Sequence, residues 1–174
     1  MNFFEAVEAR HSIRQFDTAR DVEHKLVKQM LRAAILAPSA GNRQPWRFII
    51  VRRAGVKEAL ALAAFGQSFV SQAPVVIAVC AEPELSATRY GRRGTDLYCL
   101  QDTAAAIEHI LLGAAALGLG TCWVGAFDEG QAAEALNLSD GLRPVALIPI
   151  GYPARAPADR RPRRSFDEVV DIIA

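Results

Sequence analysis

LYCLQDTAAAIEHILLGAAAL, residues 97–117, decides how the rest of the chain is read. Leu100, Ala104, Ile107, Leu111 and Ala114 or Ala115 recur on one stripe at helical spacing, which predicts the longest helix of the chain. An apolar stripe in the middle of so short a chain belongs either to the core or to a subunit axis. Downstream, Gly118, Gly120 and Gly125 break the pattern. A short helix near 129–136, a strand VALIPIGY (145–152), a Pro/Arg-rich arm (153–164) and an amphipathic segment (166–173) follow. Upstream, PVVIAVCA (74–81) and RFIIV (47–51) read as buried strands with a helix around 56–64 between them. EPELSATRYGRRG (82–94) lacks periodicity and reads as a loop or lid. Residues 2–9 read as a short helix. Asp21 is placed as the N-cap of a second helix carrying Leu26, Met30, Ala33, Ala34 and Ala37, which Pro38 ends. Strands and helices alternate without a regular βαβ beat, so the fold class is α+β rather than doubly wound.

The 174 residues fit one domain, 1–174, able to bury a core without disulfides or metal. Hydrophobic residues make up 51 %, high for this length, which hints at a buried subunit interface. Charges nearly cancel, 20 Lys plus Arg against 19 Asp plus Glu, so no global field favours nucleic acid or an anionic membrane. Cys80, Cys99 and Cys122 are odd in number and widely spaced, which supports neither a disulfide framework nor a zinc site. The N-terminus lacks the apolar core of a signal peptide, and no run is long enough to span a bilayer. A cytoplasmic protein is the expectation.

The basic residues are almost all arginine, and they cluster. Arg10-His11-Ser12-Ile13-Arg14 follows the first helix, and in an extended segment Arg10, Ser12 and Arg14 point the same way. Guanidinium forks and a hydroxyl match phosphate oxygens, so this is a candidate anion clamp. It also reads as a solvated helix end with cations near the last carbonyls. Ala37-Pro38-Ser39-Ala40-Gly41-Asn42-Arg43-Gln44-Pro45-Trp46 offers hydrogen-bonding groups at Ser39 and Asn42, small residues that let a flat ring approach, and an aromatic anchor. As plain structure it is a helix stop with a turn.

These pieces resemble the FMN-dependent nitroreductase family. RHSIRQF, APSAGNRQPW, QDTAAAIEHILLGAAALGLGTCWVGAF and GYP occur in the family's order and cover essentially the whole chain. The resemblance implies a mainly antiparallel sheet flanked by helices, an intertwined homodimer, and two FMN molecules at the subunit interface. It assigns Arg10, Ser12 and Arg14 to the flavin, with His11 in a slot that is often basic. Pro38, Ser39, Ala40 and Asn42 would reach the flavin from the partner subunit. Backbone groups of Trp123, Val124, Gly125 and Ala126 are expected near the reactive N5, and Arg161, Arg163 and Arg164 at the phosphate. Gln67 is a candidate for the ring edge, and Arg14 for the cation near N1 and O2.

The activity implied is ping-pong: NADH or NADPH reduces FMN, and an electron-poor acceptor such as a nitroaromatic or quinone then takes the electrons. The protein's task would be to bind, orient and exclude water, which accounts for the lack of a catalytic triad or a GxGxxG motif. A flavin store without turnover is the alternative, and an arginine-rich nucleotide- or nucleic-acid-binding domain a weaker one. Asp102 reads as an N-cap or first-turn carboxylate, His109 as a satisfied interior or interface histidine, and Cys122 as packing. Tyr90, Arg92, Arg93 and Tyr98 lie where a substrate lid would sit, or are solvated.

Overall fold

The computed structural model describes residues 1–156 and 162–173. Its centre is β2 (Val75–Ala81), every residue of which is buried. It pairs antiparallel with β1 (Trp46–Val51) on one side and β4 (Arg143–Gly151) on the other, and the short β3 (Gly120–Thr121) closes the order β1-β2-β4-β3. The apolar run of β2 is continuous because helices cover both faces of the sheet. Val75, Ile77 and Val79, with Ile148 and Ile150 of β4, pack against α2 (His24–Ala34) and α6 (Cys99–Ala116) through Val27, Met30, Ile107, Ile110 and Ala114. Val76, Ala78 and Leu147 point the other way, onto Leu60 of α3 (Ala54–Ala63), Val70 of α4 (Phe69–Gln72) and Ala132 of α7 (Glu129–Leu136). Successive strand residues alternate between faces, so one β-branched run serves two cores. The result is an α+β architecture, an antiparallel sheet between helical layers.

α1 (Phe3–Ala9) begins at a capping box: the Asn2 side chain accepts from the Glu5 N–H, and Glu5 reaches back to the Asn2 N–H. The extended segment after it lies beside β3, with the Ile13 N–H donating to the Thr121 carbonyl at 2.8 Å and Ser12 bridging Thr121 in parallel.

Several expectations are corrected. Residues 82–94 are not a loop: α5 (Pro83–Arg93) runs into a π-helical turn, Gly94–Tyr98, which leads into α6. Pro83 is pre-set for a first turn, Glu84 sits in that turn and Arg92 and Arg93 in the last one. Its surface is polar nearly all round, so there was no stripe to detect. α2 starts after Glu23, two residues beyond Asp21, whose carboxylate instead accepts from the Val22 N–H and pairs with Arg52 at 2.7 Å. The buried stripe of α6 is Thr103, Ala106, Ile107, Ile110, Leu111 and Ala114, while Leu100 and Ala104 are only half-buried. The segment 166–173, expected to be amphipathic, holds a single 3-10 turn, Phe166–Glu168, and is exposed throughout. No helix among the described residues is long and apolar enough to cross a membrane.

Candidate cofactor and active site

The two ends of α6 carry different halves of the expected site. At its C-terminal end, Arg10, His11 and Ile13 share a cleft of about 240 Å³ with Leu111, Ala115 and Thr121. Ile13 is buried there and Ser12 and Arg14 are exposed, as their shared parity predicts, but Arg10, expected to point with them, is half-buried and lines the cleft as the residue that closes α1. Gly120 makes this seating possible: a Cβ on it would stand 2.8 to 2.9 Å from Ile13 Cγ1, Cβ and Cγ2. The chain then continues through Cys122, whose buried thiol is pushed up by desolvation while Arg14 and Arg10 pull the other way. The two guanidiniums therefore stand near the first residue before Trp123.

Arg14 lies over the Phe69 ring, 5.8 Å from its centroid, at the start of α4. Just before that ring, the Gln67 side chain donates to the Ala64 carbonyl at 3.0 Å and to the Ala126 carbonyl at 3.2 Å. Val124 is buried and paired with Leu147, whereas Trp123, Gly125 and Ala126 are exposed. Thus Arg10, Ser12, Arg14, Gln67 and the 123–126 strip converge on one end of the molecule. Phe69 belongs with them and was missed, although a Gln-Ser-Phe run directly after Gly66 was a visible signal.

The loop carrying Pro38, Ser39, Ala40 and Asn42 sits at the other end of α6. The Ala40 N–H donates to Asp102 Oδ1 at 3.0 Å, and Asp102 lies at least nine residues along α6 from the groups beside Arg10, about 14 Å or more. Its turn is tight: Gly41, Asn42 and Gln44 all have positive φ, and Ser39 Oγ accepts from the Gln44 N–H at 3.0 Å. Within one chain, therefore, this loop does not meet the 10–14 segment.

Asp102 is 6 % exposed, and its Oδ2 has no hydrogen-bond partner among the described residues. Burial raises its carboxyl above the usual range, and the Ala40 N–H opposes that. Of its two expected places it takes the second: the N-cap position of α6 is Tyr98, and Asp102 is a first-turn carboxylate, buried and supporting the 38–42 loop. His109 is satisfied, its Nδ1 donating to the Ala33 carbonyl at 2.9 Å. Cys80 is buried, and its thiol is pushed up to about 11.

Of the C-terminal arginines, Arg161 lies outside the described residues. Arg163 and Arg164 are exposed, and Arg164 turns back on its own segment to donate to the Glu168 carbonyl. Among the described residues no cluster of His, Cys, Asp and Glu could hold a metal ion.

The donor set fits FMN. The exposed Ser12 hydroxyl and Arg14 guanidinium, with the half-buried Arg10 close by in sequence, suit an anionic group such as a phosphate, and the bare backbone at Gly125 beside Gln67 leaves a flat ring room to approach.

Comparison with known proteins bears on the same architecture. A family model described as "Nitroreductase family" matches residues 7–68 and 57–152. An NADH dehydrogenase of Thermus thermophilus is 34 % identical over 182 residues, covering 88 % of this chain and 88 % of that one. A protein of Archaeoglobus fulgidus with the provisional name NADH dehydrogenase/NAD(P)H nitroreductase is 38 % identical over 149 residues, covering 83 % of this chain and 81 % of its own. Among solved structures, a nitroreductase family protein of Streptococcus pneumoniae superposes with a TM-score of 0.89 at 27 % identity, over 98 % of this chain and 100 % of that one. One from Clostridium novyi gives 0.81 at 35 % identity, over 92 % and 89 %. With the antiparallel sheet, the 10–14 edge beside the 123–126 strip, and sequence matches across most of the chain, this chain belongs to the nitroreductase family.

Proposed function

We propose that the chain is an FMN-dependent oxidoreductase that works as a homodimer in the cytoplasm, as one FMN-binding domain per subunit. FMN, when bound, would take hydride from NADH or NADPH and pass electrons to a nitroaromatic, quinone or similar acceptor in a ping-pong cycle. Arg10, His11, Ser12 and Arg14 hold the phosphate side and the N1–O2 edge, with Arg161, Arg163 and Arg164 as further phosphate ligands. Gln67 and backbone groups of Trp123, Val124, Gly125 and Ala126 line the reacting edge. Pro38, Ser39, Ala40 and Asn42 reach the flavin of the other subunit. The names of relatives, NADH dehydrogenase and NAD(P)H nitroreductase, support the nicotinamide donor.

The observation that carries this reading is the split of the site between the two ends of α6. A loop held by Asp102 cannot approach the Arg10–Arg14 edge of its own chain, so a second copy is the direct way to complete the site. Exposed apolar side chains support it: Phe3 and Phe4 on α1, Leu36 before the loop, and Ile172 and Ile173 in the tail are each 64 % exposed or more. In the reaction the chain's own groups bind and orient. Arg14 offsets negative charge that develops at the N1–O2 edge, and Gln67, fixed by two carbonyls, keeps the 123–126 strip in place.

Measured FMN affinity of Arg10→Ala and Ser12→Ala tests the assignment. Each is expected to lose about 1 to 3 kcal/mol, the contribution of a hydrogen bond to a charged group. Wild-type affinity in both variants would remove these residues from the site.

A further inference from the structure

Beside the 38–42 loop stands a second set of groups that the flavin reading does not use. Arg89, Tyr90, Tyr98 and Arg93 form a continuous row. The Arg89 guanidinium lies 5.5 Å from the Tyr90 ring centroid, and the Tyr90 and Tyr98 rings meet edge-on at 5.0 Å and 85°. Arg93 lies 5.3 Å from the Tyr98 centroid, its Nε donating to Tyr98 Oη at 2.9 Å. The backbone is shaped for this. Gly91 breaks the helix with φ +52, and the π-helical turn over Gly94–Tyr98 brings the second tyrosine onto the first.

The row abuts the loop. A Cβ on Gly41 would stand 2.5 Å from Tyr90 Oη and 3.1 Å from Arg89 Cδ, and Arg43 fastens the loop to α5 through the Leu85 carbonyl at 2.9 Å and the Thr88 hydroxyl. Arg92 is taken by Asp96 at 3.0 Å. Among the described residues, neither Arg89 nor Arg93 has a carboxylate partner, and both are exposed. Two cations without a carboxylate partner thus flank a pair of aromatic rings, packed against the loop proposed to reach the cofactor.

That combination suits a ligand with both a planar base and phosphates: rings offer stacking, and guanidinium forks match phosphate oxygens. A small anionic electron acceptor needs no such platform. A nicotinamide dinucleotide does carry such a tail, and no strand-to-helix connection among the described residues is a glycine-rich dinucleotide turn. We propose that the Arg89–Tyr90–Tyr98–Arg93 row binds the adenosine diphosphate tail of the nicotinamide donor, an assignment that rests on the oxidoreductase reading above.

The test is titration of ADP-ribose into the purified protein. The wild type is expected to bind it, and Arg89→Gln/Arg93→Gln to bind at least about tenfold more weakly, as loss of charged contacts predicts. Arg92→Gln, the loss of one charge outside the row, should keep wild-type affinity. No binding by the wild type, equal affinity in the double variant, or an equal loss in Arg92→Gln would each overturn the assignment. In flavin-loaded protein, the double variant should slow flavin reduction by NADH but not by 1-benzyl-1,4-dihydronicotinamide, which has no tail. An equal loss with both donors, or a loss confined to reoxidation by nitrobenzoate, would give the row another role. A protein that takes up no flavin would end the oxidoreductase reading, while the ADP-ribose titration still decides the row.

Discussion

Replacing Gly120 by alanine tests whether the 10–14 segment is held where the site needs it. The added Cβ would meet Ile13 at Cγ1, Cβ and Cγ2, all within 2.9 Å. Because one of those atoms is Cβ itself, no rotamer change of Ile13 relieves the contact. Gly120 is paired with Gly151 in the sheet and Ile13 is bonded to Thr121, so the two backbones must separate by several tenths of an ångström. Overpacking of this kind costs about 1 to 3 kcal/mol. At roughly 2 to 4 °C per kcal/mol for a chain of this size, the melting temperature should fall by about 2 to 12 °C. Ser12 and Arg14 flank Ile13, so the flavin contacts proposed for them should loosen too, lowering FMN affinity roughly five- to hundredfold. The assays are a thermal melt and a flavin fluorescence titration. Gly113→Ala is the control: its Cβ, in the interior of α6, would meet Met30 of α2 at 3.6 Å, an ordinary contact, and should add about 0.5 to 1 kcal/mol of stability without touching flavin affinity. If Gly120→Ala melts early but binds FMN normally, the 10–14 segment is structural and not part of the site. If neither property changes, the packing argument itself is wrong.

Asp102→Asn keeps an acceptor for the Ala40 N–H but removes a buried charge. Burial raises the folded carboxyl above its unfolded value of about 3.9, so the wild type gains stability when protonated and loses it as pH rises through the folded value. The stability of the Asn variant relative to wild type should therefore increase from pH 4 upward, and melts showing a relative decrease would contradict the sign. Asp102→Ala removes the acceptor as well and should cost about 1 to 3 kcal/mol, read by the same melts, as an amide left without a partner predicts. Sizing of the flavin-loaded protein should give a dimer, and removal of residues 165–174 should weaken it, since Phe166, Ile172 and Ile173 have no core of their own to enter. A stable monomer that retains FMN would dismiss the cross-subunit loop.

The parts of the fold legible in the sequence were those where burial wrote a pattern. The run 74–81 is buried on both faces and reads as continuous apolar residues, and the alanine-rich helix announced itself through length and period. α5 was invisible because its contacts run through Ser86, Tyr90 and Gly94 rather than an apolar stripe. β3 is two residues long, too short for any period to show. In the site, the outward parity of Ser12 and Arg14 could be read directly. The support of the 38–42 loop by Asp102 could not, because the partners lie 62 positions apart and the carboxylate looks like any first-turn acid. Gln67 bonds a carbonyl 59 positions away, a contact that only the folded sheet creates. The separation of the two half-sites along α6 is likewise a property of three-dimensional distance, not of spacing in the chain.

The proposed function requires that this chain bind FMN and reduce it with a nicotinamide donor. Its most direct test is the visible spectrum of purified, FMN-reconstituted protein before and after anaerobic addition of NADH or NADPH. The expected result is a bound-flavin spectrum that bleaches on the timescale of turnover and returns on addition of a quinone or nitroaromatic. A protein that takes up no FMN, or a bound flavin that neither nicotinamide bleaches, would contradict it.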